Sequence, residues 1–333
     1  MASDTSADTP AENQAENQTG GPVEGGLQGN SPTAADHRFG FVAVIGAPNA
    51  GKSTLVNAMV GAKVTIVSRK VQTTRMPVRG IAIEDKSQLV FIDTPGIFAP
   101  KRRLDRAMVG AAWNGAADGD VIALVVDAAR GLDEEVEVIL AKLGERGAPK
   151  ALVLNKVDRL DSKEKLLALA KAIGAKVKFQ SVFMISALSG DGVGDLKRFL
   201  AANVPMGPWH YPEDDISDLP LRMLAAEITR EKMFDRLHEE LPYATTVETT
   251  DWKEFKNGSV RIEQTLFVER DGQKKIVLGK AGQTIKHISS DARAELKNIL
   301  ERDVHLFLFV KVRDAWADDP ERYREMGLDF PKD

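Results

Sequence analysis

From residue 38 to about residue 203, short unbroken apolar runs alternate with stretches whose apolar positions recur every three or four residues. FGFVAVIG (39–46), IAIE (81–84), LVFIDT (89–94), VIALVVD (121–127), ALVLN (151–155) and VFMIS (182–186) predict strands. STLVNAMVG (53–61), EEVEVILAKL (134–143), KLLALAKAI (165–173) and VGDLKRFLAA (193–202) predict helices. Strands that alternate with helices in this way build a mostly parallel sheet covered on both faces. Ligands of such sheets sit beside the loops at the strand C-termini.

The pattern breaks at 204–220, where prolines and acids crowd together as in a linker. Beyond it, residues 221–241 predict a helix carrying Leu221, Leu224, Ile228, Leu237 and Leu241 at helical spacing. Two strand-like runs, 244–255 and 259–270, meet at Asn257-Gly258, a strong hairpin signal. KKIVL (274–278) then leads into a G-x-x-G loop. A further helix follows, with its stripe at Ile285, Ile288, Ala292, Leu296 and Ile299. VHLFLFVKV (304–312) closes the region as a strand. Its Val and Leu positions alternate with Phe307 and Phe309; the two rings suggest a stacking platform, but the alternation favours core packing, which is expected. The predicted order is helix, strand, strand, loop, helix, strand.

Residues 1–37 read differently. AENQ occurs twice in succession, no aromatic residue is present, and acids occur without Lys or Arg. Such a segment buries too little to offset its ordering entropy, so a disordered acidic tail is expected.

The chain has 333 residues, 43% of them hydrophobic, which is ordinary for a globular protein. Its net charge of −4 does not mark a nucleic-acid binder, although a local basic patch is compatible with it. With no cysteine, the chain has no disulfide, thiolate metal site or cysteine nucleophile, which suits a reducing cytoplasm. No apolar run approaches the ~20 residues that span a bilayer.

The candidate chemistry begins at GAPNAGKS, a G-x-x-x-x-G-K-[ST] loop between a predicted strand and a predicted helix. Gly46 and Gly51 let the main chain curl so that amides face phosphate oxygens, and Ala47, Pro48, Asn49 and Ala50 form the arc between them. Lys52 brings a full positive charge to the β- and γ-phosphates, and the Ser53 hydroxyl completes a Mg²⁺ shell. Further on, Asp93-Thr94-Pro95-Gly96 ends a strand. Asp93 is placed to hold the metal through water, and the Gly96 amide to meet a γ-phosphate. Asn155-Lys156-Val157-Asp158 ends another strand. The Asp158 carboxylate matches the paired donors of guanine, which adenine lacks, and the Lys156 stem can lie across the base. Ser186-Ala187 offers a turn amide for guanine O6.

These motifs resemble the GTPase branch of P-loop proteins. GAPNAGKSTL, SRKVQTTR, FIDTPGI, LNKVD and ISAL in the first region point within it to the bacterial Era family. GPWHYPEDDISD, EITREK, ELPY, VLGKAGQTIK and VKVRDAWADDPERYREMGL in the second point the same way. The resemblance runs from about Arg38 to near the C-terminus. It implies a G domain over 38–203, the linker over 204–220, a type II KH domain (α+β) over 221–317 and a C-terminal tail over 318–333. Within SRKVQTTR it implies a switch segment whose threonine closes onto Mg²⁺ and the γ-phosphate, with Thr74 favoured over Thr73. The place of the usual water-positioning glutamine holds Ile97. Hydrolysis is therefore expected to be slow and to rest on Lys52, Thr74, Gly96 and the metal. The alternative is a nucleotide-stabilised RNA binder with negligible turnover. Asn49 stands where related GTPases hold K⁺; a turn-stabilising asparagine is the other reading.

Gly279-Lys280-Ala281-Gly282 matches the loop with which KH modules clamp about four nucleotides. Lys286 and other basic residues surround it within an acidic protein, as a phosphate backbone requires. From its residues alone the loop points to single-stranded nucleic acid. The resemblance implies the 3′ end of 16S ribosomal RNA and the assembling 30S subunit as partners. It also implies a monomer in the cytoplasm with peripheral association at the inner membrane.

Overall fold

The computed structural model describes residues 36–331, apart from 69, 71, 72, 161, 163, 238–240 and 315. The acidic segment expected over 1–37 lies outside the described residues except for its last two. These two are seated: Asp36 pairs with Lys86, and His37 stacks on Trp209 at 4.9 Å.

A six-stranded sheet is built from β1 (Arg38–Ile45), β2 (Val78–Glu84), β3 (Ser87–Asp93), β4 (Val121–Asp127), β5 (Lys150–Asn155) and β6 (Ser181–Met184), in the order β2-β3-β1-β4-β5-β6. All neighbours are parallel except β2 and β3, which form an antiparallel hairpin. The strands are apolar along their whole length because helices cover both faces. Residues such as Val42, Val44, Phe91 and Ala123 pack under α1 (Lys52–Val60) and α5 (Val193–Asn203). Their neighbours Ala43, Ile45, Ile122 and Leu124 face α2 (Arg103–Asp118), α3 (Glu134–Leu143) and α4 (Glu164–Gly174). No element is predicted over α2, whose many Ala and Gly blur its apolar stripe. Asp93, Asp127 and Asn155 end β3, β4 and β5, so these polar residues gather at one edge of the sheet, beside the loop that follows β1.

The linker is pinned rather than free. Phe39 N donates to Pro205 O and Ile81 N to Ile216 O, while Gln88 Oε1 accepts from the amides of His210 and Tyr211. Beyond it lie α6 (Leu221–Arg236), β7 (Thr245–Glu254), β8 (Val260–Val268), α7 (Asp271–Leu278), α8 (Gln283–Leu300) and β9 (Val304–Val312). The second sheet has the order β7-β8-β9, with β8 antiparallel to β7 and parallel to β9. The hairpin turns at Gly258 (φ 82°), as the Asn-Gly pair requires.

The run before the G-x-x-G loop, over which no element is predicted, is the helix α7; Gln273 Oε1 caps it by accepting from the amides of Glu269 and Arg270. A short apolar run does not itself declare its period. Phe307 and Phe309 are not core residues: they are 45% and 47% exposed, while Val304 and Leu306 pack under the helices. The segment expected as a tail carries α9 (Pro320–Glu325), whose Tyr323 is buried with Trp316 and Leu328 against Leu104 and Met108 of α2. Among the described residues, no helix is long and apolar enough to cross a membrane.

Candidate nucleotide and nucleic-acid sites

A cavity of about 1120 Å³ opens at the C-terminal edge of the six-stranded sheet. The first loop contributes Pro48, Asn49, Gly51, Lys52 and Ser53 to its wall. Thr74 and Gly96 come from two other segments, and Asn155, Lys156, Asp158 and Ala187 line the far end. Gly46, Ala47, Ala50, Asp93, Thr94, Pro95, Ile97, Val157 and Ser186 do not line it and stand behind or beside it. Gly51 takes φ 98°, and a Cβ there would stand 2.2 Å from Asn155 Nδ2. A Cβ on Gly96 would press on Pro48 at 2.8 Å. Both glycines therefore let two main-chain segments meet.

Lys52 is buried, and its Nζ donates to Gly46 O (3.1 Å) and Ala47 O (3.0 Å). The ammonium is thus held inside the curl of the loop, where phosphate oxygens would compete for it. Burial lowers its pKa to about 8, against the opposing field of Asp93.

Asp93 is fully buried at the end of β3. Its Oδ2 accepts from Ser53 Oγ (2.7 Å), Thr65 Oγ1 (2.9 Å) and Thr74 Oγ1 (3.3 Å), and Ser53 Oγ lies 2.9 Å from Thr74 Oγ1. Its Oδ1 is buried without a hydrogen-bond partner among the described residues. Burial raises the carboxyl's pKa, opposed by the hydroxyls and Lys52. A buried carboxylate oxygen without a donor, beside two hydroxyls, is a set of hard oxygen ligands. Thr73, by contrast, donates its hydroxyl to Lys70 O. Ile97 is 2% exposed and packs in the core, so only its amide, donating to Gly46 O at 3.1 Å, serves this region.

At the other end, Asn155 braces the walls. Its Nδ2 donates to Ala50 O (2.9 Å) and its Oδ1 accepts from Ala187 N (3.0 Å). Lys156 (φ 65°) donates from Nζ to Asn49 O (2.5 Å) and Asp127 Oδ2 (2.7 Å). Asp158 is exposed on the cavity rim. Ser186 holds the turn, accepting from Ser189 N on its hydroxyl.

Sequence reasoning passed over Thr65, Asp127 and the anchors of residues 63–75. Asp127 ends a buried strand as Asp93 does, which was its available signal. Thr65 gave none: it is positioned by Asn57, whose Oδ1 accepts from Val64 N and Thr65 N. From Thr65 onward the segment leans on the second region. Ile66 is buried among Ala225, Ile228 and Val260. Val67 N donates to Glu231 Oε1 (2.8 Å), and Arg230 Nη2 donates to Thr73 O (2.5 Å). Arg75 donates to Thr245 O (2.7 Å), Pro242 O (3.1 Å) and Tyr243 O (3.1 Å) and lies 5.6 Å from the Trp316 ring. Burial and the nearby Arg230 lower its pKa to about 9, so it stays a cation at neutral pH.

The G-x-x-G loop turns through Gly279 (φ 74°), Ala281 (φ 53°) and Gly282 (φ 74°) onto the N-terminus of α8. A Cβ on Gly279 would meet Thr284 Oγ1 at 2.1 Å. Lys280 and Lys286 are exposed beside it. Two acids on α8 are engaged: Asp291 pairs with Arg236, and Glu295 with Lys63 and Lys232. The loop therefore offers close backbone approach, a helix N-terminus and exposed lysines.

A family profile described as 50S ribosome-binding GTPase matches residues 41–156, and one described as KH domain matches residues 240–317. GTPase Era of Afipia carboxidovorans is 64% identical over 306 residues, 91% of this chain and 99% of that protein. GTPase Era of Brucella suis biovar 1 is 62% identical over 303 residues, 91% of this chain and 97% of that protein. The crystal structure of Era in complex with MgGDPNP and nucleotides 1506–1542 of 16S ribosomal RNA matches with TM-score 0.83 and 38% identity. The match covers 87% of this chain and 99% of that one. A variant of Aquifex aeolicus Era bound to GDP·AlF4⁻ matches equally well. A G domain with its phosphate loop, a KH domain with its clamp, and this identity over nearly the whole length place the chain in the Era family of GTPases.

Proposed function

We propose that the protein is a GTP-driven switch that grips the 3′ end of 16S ribosomal RNA during small-subunit maturation. The observation that carries this reading is the 63–75 segment. Near its ends, Thr65 and Thr74 are bonded to Asp93 beside the phosphate loop. Along its length, Ile66, Val67, Thr73 and Arg75 are held by the KH domain. A segment bonded at both places passes information between them.

In this reading the loop amides and Lys52 enclose the phosphates, and Asp158 selects guanine. Ser53, Thr74 and the unpartnered Asp93 Oδ1 are the residues that would hold Mg²⁺. Bound Mg²⁺ neutralises charge on the phosphate oxygens. Lys52 and the Gly96 amide steady the terminal phosphate. Buried Ile97 leaves the attacking water without a side-chain guide, so turnover is slow. Asn49 takes φ 61°, a conformation asparagine tolerates, which gives it a turn role. A K⁺ role at Asn49 requires faster turnover in K⁺ than in Na⁺ buffer.

The test is RNA affinity. An oligomer from the 3′ end of 16S RNA is expected to bind on the order of tenfold more tightly with GDPNP than with GDP, a coupling of about 1.4 kcal/mol. Equal affinities would refute the switch.

A pH dependence also follows. Lys52 holds phosphate only as the ammonium, and its pKa in the free protein is about 8. Nucleotide phosphates raise that pKa, so binding takes up a proton and affinity falls as pH rises. GDP affinity measured without Mg²⁺ is expected to drop up to about tenfold between pH 7 and 9. Lys52→Met should flatten the curve; a steep curve in that variant would assign the effect elsewhere.

A further inference from the structure

On β9, Phe307 and Phe309 point away from the helices and are 45% and 47% exposed. The register sets His305, Phe307 and Phe309 opposite Arg261, Glu263 and Thr265 of β8. The Arg261 guanidinium lies 4.8 Å from the Phe307 ring. Phe255, 39% exposed, meets His305 edge-on at 6.5 Å, with Lys253 at 5.8 Å from its ring. The chain itself covers the other half of this sheet face. There Arg322 pairs with Glu248, and Arg313 and Arg322 lie 5.8 and 5.5 Å from the Phe267 ring. Among the described residues, that cover stops short of Phe307 and Phe309.

Exposed rings cost solubility unless something lies on them. The chemistry here favours nucleic acid. Two residues apart on a strand is about 6.6 Å, so successive bases that are unstacked from each other can each use one ring. Lys253 flanks Phe255, and the acids beside the rings are paired: Glu263 with Arg261, and Glu254 with Arg302. Position agrees as well. β9 is an edge strand, and α7, which leads into the Gly279–Gly282 loop, packs on it. A strand leaving the clamp reaches this face by crossing one edge. A KH clamp holds only about four nucleotides, so a longer RNA leaves neighbouring bases free for a second contact.

We propose that the open aromatic face of the KH sheet is a second RNA contact, a stacking platform for unpaired bases next to those in the clamp. The platform rests on the RNA-binding reading above and extends it.

The test uses the full chain with GDPNP and two oligomers from the 3′ end of 16S RNA. One has about five nucleotides, matched to the clamp, and the other about fifteen, containing the first. Phe307→Ala/Phe309→Ala is expected to weaken binding of the long oligomer roughly 10- to 100-fold, leaving the short one unchanged. Phe307→Tyr/Phe309→Tyr should retain long-oligomer affinity, because tyrosine stacks equally well. Both residues are exposed, so thermal unfolding and GDP affinity of the variants should match the parent. Unchanged affinity for the long oligomer, or an equal loss for both, overturns the platform. So does loss of binding to phosphatidylglycerol vesicles with RNA affinity intact, which would assign the face to lipid. If the parent binds neither oligomer, the RNA reading itself falls and the platform with it.

Discussion

Lys52→Ala is expected to weaken guanine-nucleotide binding by about two orders of magnitude while leaving the empty protein at least as stable. The ammonium donates to two loop carbonyls and is buried. Nucleotide would replace those carbonyls with charged phosphate oxygens, and each hydrogen bond to a charged group contributes about 1.5–3 kcal/mol. Losing about 3 kcal/mol corresponds to roughly a hundredfold. The loop amides remain, so some binding persists. In the empty protein Lys52 pays a burial penalty, visible in its pKa of about 8, and alanine removes it. Calorimetry with GDP and thermal unfolding of the apo form check both halves. A variant that bound GDP normally would refute the role given to Lys52.

Arg75→Ala is expected to uncouple the two domains. Arg75 is 4% exposed, and its guanidinium satisfies three carbonyls in the stretch that enters β7. Truncation leaves those acceptors buried and removes the cation beside Trp316, a loss of roughly 3–5 kcal/mol at the interface. RNA affinity should then be the same with GDPNP and GDP, with GDP affinity itself changed less than about threefold. Arg75→Lys should not rescue the difference, because one ammonium cannot span three carbonyls. Anisotropy titrations with both nucleotides decide it; a nucleotide effect that survived in Arg75→Ala would remove Arg75 from the relay.

The sequence announced what depends on neighbours along the chain. The phosphate loop needs glycines and a lysine within eight positions, and the guanine and clamp motifs are equally local, so all of them were legible. Strand-helix alternation likewise disclosed the sheet. What depends on distant partners stayed hidden. Thr65 matters through Asp93, and Arg75 through residues 242–245; nothing local distinguishes either from an ordinary polar position. The alternation in β9 marks two faces without saying which one the helices cover, so it does not separate an inward from an outward Phe307 and Phe309. The α7 run was too short to declare its period. The C-terminal α9 owes its place to Leu104 and Met108, more than two hundred positions earlier.

Ile66 belongs to the strip of chain proposed to answer to a phosphate, yet its side chain is a stopper in another domain's hydrocarbon interior. Any form that pulls the strip away exposes apolar surface on both sides, at about 2–3 kcal/mol for the isoleucine alone. Such an undocked form is expected to be the stickier one, first to aggregate on concentration and first to be cut by proteases.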